Sequence, residues 1–211
     1  MFEVKHILLT DPEDPVIRDI TTRMSRFVCN LETNEECLKE EAFIIETEVP
    51  IVLKCYAPDK VTNEKNVYLT PKEQRSGSRI FITPGVIALV MFLKTPCINL
   101  KSAKEATSLF IDYFVKRIKG AYSDNNDILI NGKKILGLAF HCNPELETSN
   151  IKFMLTFNSD YIKSLINSDD FTDRKYSDIT GICNETNLSA DAVRNIVNGF
   201  IDVVLSWRDN V

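Results

Sequence analysis

Residues 126–137, Asn-Asp-Ile-Leu-Ile-Asn-Gly-Lys-Lys-Ile-Leu-Gly, leave the backbone fewer choices than any other stretch of the chain. Ile128 and Ile130 stand at the spacing of one strand face, and Asn131-Gly132 follows directly. Both turn residues tolerate the positive φ of a two-residue loop, so the pattern predicts a tight β-hairpin. Ile135, Leu138 and Phe140 then supply the apolar residues of a return strand. Lys134 falls near the start of that strand, where sheet geometry rather than a loose loop positions its ammonium. With Asp127 a short step away, it is a candidate fixed positive charge for a phosphate or carboxylate. The same residues also fit an ordinary hairpin with surface lysines.

The rest of the chain mixes strand and helix patterns without an internal repeat. Residues 4–9 read as a strand, and Asp-Pro-Glu-Asp-Pro then turns into a helix near Val16. Ile17, Ile20, Met24, Phe27 and Val28 recur at helical spacing and are expected to face the core. Residues 43–46, 51–56, 66–70 and 151–157 look like strands, 57–65 like a loop and 160–166 like a short helix. The clearest helix spans 102–119. Ser102 and Glu105 suggest a capping box, and Ala106, Leu109, Phe110, Tyr113, Phe114 and Ile118 an apolar stripe. Lys116, Arg117 and Lys119 suit its last turns, where cations offset the helix dipole. A closing helix is expected after Ser189 and up to Trp207, with Val193, Ile196, Val197, Phe200, Ile201, Val204 and Leu205 on one apolar face. No linker rich in Gly, Pro or Ser divides residues 1–211. The expectation is therefore one α+β domain with a mixed or antiparallel central sheet flanked by helices.

Composition narrows the function classes. A chain of 211 residues with 44% hydrophobic content can bury a real core. A net charge of −5 offers no cationic surface for non-specific nucleic-acid binding. The longest apolar run, residues 86–93, is too short to span a bilayer, and the first residues do not resemble a secretion signal. These features lead us to expect a soluble, cytoplasmic protein. Six cysteines lie far apart with no Cys-x-x-Cys pair, and there are only two histidines, so no metal site of common spacing is expected. Reduced, mostly buried thiols are the simpler reading. His141 and Cys142 are neighbours, and on a strand they point to opposite faces, which spoils a nucleophile–base pair.

A second candidate site precedes the lysine hairpin. In residues 73–85, Glu-Gln-Arg-Ser-Gly-Ser-Arg-Ile-Phe-Ile-Thr-Pro-Gly, Gly77 and the flanking Ser76 and Ser78 allow close backbone approach to a ligand. Arg75 and Arg79 offer forked donors to phosphate or carboxylate oxygens. Thr83-Pro84-Gly85 reads as a turn into the buried strand 86–93. Taken alone, these residues read by default as a solvated surface loop.

Asn126, Asp127, Ile128, Gly132, Lys133, Lys134, Ile135 and Gly137 resemble, without a gap, a motif of the biotin/lipoate protein ligase and octanoyltransferase superfamily. That motif is Asn-Asp-Ile, a short turn, then Gly-(Lys/Arg)-Lys-(Ile/Leu)-x-Gly. The family's Arg- and Gly-rich ligand loop is similar to residues 73–85. Glu73, Gln74, Gly77, Phe81, Thr83, Pro84 and Gly85 match the biotin ligase form, and Arg75, Gly77, Phe81, Pro84 and Gly85 the octanoyltransferase form. Departures exist: Ser78 and Arg79 replace glycines of the lipoate ligase loop, and Ile82 replaces a histidine. Asp124-Asn125 stands where biotin ligases carry Trp-Pro, and Cys183 lies outside the context of the octanoyltransferase nucleophile.

The resemblance implies a protein ligase or acyltransferase. Such an enzyme activates a small-molecule acid (lipoate or biotin) with ATP and magnesium, then attaches it to the acceptor lysine of a carrier domain. It implies catalytic roles for Lys134 and Asp127, the latter orienting the lysine or holding magnesium. Ligand contacts would come from Arg75, Gly77, Ser78, Arg79, Gly85, Asn126 and Gly137. No P-loop is present, so ATP use would depend on this site. The departures leave open a catalytically degenerate domain that binds a ligand or a partner protein.

Overall fold

A strand that is apolar on both faces must be covered on both, and residues 87–93 lie in such a strand inside this molecule. The computed structural model describes residues 2–11, 14–17, 19–20, 39–53, 68–69, 80–96, 100–124, 126–142, 148–157 and 180–210. Its strands are β1 (Glu3–Leu9), β2 (Glu41–Thr47), β3 (Ile51–Leu53), β4 (Tyr68–Leu69), β5 (Ile80–Ile82), β6 (Ile87–Pro96), β7 (Tyr122–Asp124), β8 (Asp127–Ile130), β9 (Lys133–Cys142) and β10 (Thr148–Phe157). Its labelled helices are α1 (Leu100–Arg117), α2 (Ile182–Glu185) and α3 (Ala190–Arg208). Seven strands form one sheet in the order β1-β2-β6-β10-β9-β8-β7, and β4-β3-β5 form a smaller one. In the large sheet β1 runs parallel to β2, and every other pair is antiparallel. This is the expected mixed-sheet α+β architecture.

Ile87, Leu89, Met91 and Leu93 of β6 join the core that packs against α1 and α3. Ala88, Val90 and Phe92, pointing the other way, are buried as well. Residues 15–17 and 19–20 are helical, with Ile17 and Ile20 buried as expected. Met24, Phe27 and Val28 lie outside the described residues, as do 54–67 and the short helix expected at 160–166.

Two expectations for α1 need correction. The helix begins at Leu100, so Ser102 lies inside it and not at the N-cap position that the expected capping box requires. A cap needs the extended backbone of the residue that precedes the helix. Leu109, expected in the apolar stripe, is 45% exposed, whereas Ala106, Phe110, Tyr113, Phe114 and Ile118 are buried. At about 100° per residue, Leu109 falls on the outer margin of the stripe that those five define. Lys116 and Arg117 occupy the last turn as expected, but Lys119 lies beyond it.

α3 conforms closely. The Ser189 hydroxyl accepts the Ala192 amide, and Val193, Val197, Phe200, Ile201 and Val204 are buried. Phe110 meets Phe200 and Trp207 edge-on, each with ring centroids 5.5 Å apart. Tyr113 joins the two helices by a hydrogen bond from its hydroxyl to the Ile196 carbonyl at 2.8 Å. That approach requires Gly199, because a Cβ there would sit 2.5 Å from the Tyr113 oxygen. The ring cannot swing away easily: Phe114 and Phe200 pack against it, and the Arg117 guanidinium lies 3.8 Å from its centroid.

Gly199→Ala should therefore destabilise the protein by about 1–3 kcal/mol through overpacking. This outweighs the roughly 1 kcal/mol that alanine gains over glycine in a helix interior. Denaturant unfolding should show Tyr113→Phe recovering part of that loss in the double variant. Additive losses would mean that the hydroxyl is not the obstacle.

Candidate functional site

Asn131 and Gly132 both take positive φ, 52° and 78°, and close the β8–β9 hairpin with the expected two-residue loop. From the turn outward, Ile130 pairs with Lys133 and Leu129 with Lys134. The next pairs are Ile128 with Leu136 and Asp127 with Gly137, so Ile135 is an extra residue, a β-bulge. In an unbroken ladder Leu136 would stand opposite Asp127. The bulge instead sends both Ile135 and Leu136 into the core beneath the helices and leaves Gly137 opposite the carboxylate. Leu129, between the two expected isoleucines, is buried too, so β8 is covered on both faces.

On the face away from the helices, Lys134 reaches across Gly137 to Asp127, with Nζ 2.7 Å from Oδ1. The two side chains are 21% and 23% exposed, which places the pair in a partly sheltered position rather than in bulk water. A Cβ on residue 137 would meet Lys134 Cε and Nζ at 3.2 Å and Asp127 Oδ1 at 3.5 Å. Glycine is what lets the lysine lie over the strand. Asn126 is exposed, and its carbonyl accepts the Leu138 amide at 3.1 Å, continuing the ladder past Asp127.

Lys133 points to the opposite face and pairs with Glu185 of α2, Nζ to Oε1, at 2.8 Å. The Thr180 hydroxyl donates to the same oxygen at 3.1 Å, and the Asn131 amide to Oε2 at 3.5 Å. The Thr180 backbone N–H donates to the Lys134 carbonyl at 3.1 Å. Sequence reasoning missed this clamp: Glu185 lies 52 residues from Lys133 and forms no local pattern with it.

Gly85 has φ 83°, and the Val86 amide bonds to the Thr83 carbonyl at 2.9 Å, so Thr83-Pro84-Gly85 is the expected turn. It passes the chain from β5 in the small sheet to β6 in the large one. Ile87 pairs with Phe157, which pairs with Leu136. This turn and the lysine hairpin thus lie toward the same end of the sheet, on strands two strand spacings, about 10 Å, apart. Arg75, Gly77, Ser78 and Arg79 lie outside the described residues. Cys183 is exposed and unpaired, unlike the buried thiols expected in general. Among the described residues no group of three or more His, Cys, Asp or Glu side chains suits a metal. Among them, too, no helix is long and apolar enough to cross a membrane.

Lys133, and then the Thr180 hydroxyl, hold the Glu185 carboxyl below the usual carboxylate range, against an opposing effect of burial. A lowered folded pKa stabilises the folded state above the unfolded value of about 4.3, and that stability is lost as pH falls through the folded pKa. NMR titration should find Glu185 ionising below that value, and Lys133→Met should raise its midpoint. A Glu185 midpoint unaffected by Lys133→Met would contradict the clamp.

No protein-family model matches the chain, and no curated protein matches it by sequence. Its likeness to solved structures is extensive. Protein Ta0514 of Thermoplasma acidophilum with bound lipoic acid superposes with TM-score 0.63 at 12% identity, over 97% of this chain and 86% of that one. A bipartite lipoate protein ligase from the same organism, described with its E2 lipoyl domain, gives 0.62 at 13% identity over 98% and 85%. Lipoate-protein ligase A bound with ATP gives 0.60 at 13% identity over 97% and 86%. The chain has the fold of the lipoate-protein ligases.

Proposed function

We propose that residues 1–211 form one catalytic domain of a protein ligase, which activates a lipoate- or biotin-type acid with ATP and transfers the acyl group to a lysine of a carrier domain. The observation that carries this reading is the Lys134 ammonium, held by Asp127 across Gly137 on a hairpin of a ligase-type fold. A bound lipoate, a bound ATP and an E2 lipoyl domain in the similar structures support the substrates and the partner.

In the first step a carboxylate oxygen of the acid attacks the α-phosphorus of ATP, and pyrophosphate leaves. In the second the carrier lysine amine attacks the acyl carbon, AMP leaves and the amine loses a proton. Both steps develop negative charge on oxygen. A positioned lysine stabilises that charge without reorganising during the reaction. Asp127 orients the amine, which carries three N–H donors and so can serve an acceptor besides the carboxylate. Arg75 and Arg79 would add donors, with Gly77, Ser78 and Gly85 shaping the loop and Asn126 contacting the nucleotide. Magnesium fits as the companion of the ATP phosphates, since it needs few protein carboxylates there.

One observation favours a second reading, a degenerate domain that binds without turnover. Ile82, where octanoyltransferases carry histidine, is a buried apolar residue and offers no proton-transfer group.

Purified protein with ATP and lipoic acid, biotin or octanoate should release pyrophosphate, and a cognate carrier should gain the acyl mass. Lys134→Ala should lower that release by about 10²–10³-fold, the usual loss for one such donor. Gly137→Ala should lower it too, because the added methyl displaces the amine. Saturable binding of acid or nucleotide without pyrophosphate release would favour the binding module, and no binding would leave the fold alone.

A further inference from the structure

We infer that Glu185 is a positioning residue for Lys134, acting through the hairpin rather than on the substrate. The inference rests on the ligase reading for its consequence but not for its geometry. Glu185 gathers Nζ of Lys133, the first residue of β9, at 2.8 Å and Nδ2 of Asn131, a residue of the turn itself, at 3.5 Å. Thr180 bonds Glu185 through its hydroxyl and Lys134 through its backbone N–H, tying the same short segment to the residue that carries the ammonium. The segment is a firm post. Ile182 is part of the hydrophobic core, Thr180 and Gly181 are buried, and the Asn184, Glu185 and Thr186 amides bond back to Gly181 and Ile182 carbonyls.

Adjacent lysines on a strand point to opposite faces, so Lys133 can be anchored without touching the ligand side. The Glu185 anchor then fixes the backbone of residues 131–134 from behind, while Asp127 fixes the Lys134 side chain from in front. A bulge bends the strand and leaves its extra residue out of the ladder, and this one comes immediately after Lys134. The clamp lies on the turn side of the bulge, where the regular ladder no longer ties these residues to the rest of the strand.

The test uses the full chain with its lysines ¹³C-dimethylated, and the Lys134 resonance is assigned with Lys134→Arg. Glu185→Gln keeps the side-chain shape and removes the charge; the exchange Lys133→Glu with Glu185→Lys restores the pair in reverse. The inference expects Glu185→Gln to move the Lys134 resonance and the exchange to return it. With ATP and the accepted acid, kcat for pyrophosphate release should fall on the order of tenfold in Glu185→Gln while KM for ATP stays within about twofold, since misplaced catalytic groups cost rate. The exchange should recover most of kcat. A Lys134 resonance that Glu185→Gln leaves in place, or an unchanged kcat in an active protein, overturns the inference. If the wild-type chain releases no pyrophosphate, the ligase reading fails, and the resonance still decides whether Glu185 positions Lys134.

Discussion

A hairpin closed by two residues sets its register from the turn outward, so the extra residue at Ile135 decides which side chain faces Asp127. Burying Ile135 and Leu136 together is worth about 1.5–3 kcal/mol each relative to exposure. The ladder hydrogen bond disturbed by a bulge is worth roughly 1 kcal/mol net, so the core holds the irregularity in place. Leu136 turns inward because the helix-side core takes it. Gly137 then occupies the position opposite Asp127, where a side chain would push the lysine away. The site's charge geometry follows from hydrophobic packing on the other face of the same strand.

The ion pairs of this molecule are better read as fixing geometry than as supplying stability. Lys134–Asp127 is partly sheltered, where attraction and lost hydration largely offset each other. Arg194 holds Glu46 with two donors, at 2.7 and 2.8 Å, and so fastens α3 to β2. Glu40 accepts from Arg208 at 3.1 Å and from the Lys94 amide at 2.9 Å, tying the end of α3 to β6. These links set where the long helix lies over the sheet, and the aromatic contacts of Phe110, Phe114 and Phe200 fill the space it encloses.

What was legible in the sequence was local. Asn131-Gly132 announces its turn because few other pairs take positive φ twice. Ser189 and the apolar face after it announce α3, and residues 86–93 announce a strand covered on both sides. Ser102 misled because a capping pattern can recur within a helix that starts two residues earlier. The bulge left only a faint trace, two adjacent apolar residues where alternation called for one. The Glu185 clamp left none, since nothing in a chain marks which distant acid will meet a given lysine. The resemblance to ligases came from the hairpin and agrees with the fold; the arginine loop lies outside the described residues.

Two lysines in succession would be a liability in a loop, where like charges compete for the same acceptors. On β9 they are separated by strand alternation, and each meets its own carboxylate, Glu185 behind the hairpin and Asp127 in front. The hairpin therefore presents one oriented ammonium on the face away from the helices instead of a diffuse positive patch. Such an arrangement suits recognition of a single anionic group at a defined point. The alternation of one strand thus sends the two charges to opposite faces, each to its own carboxylate.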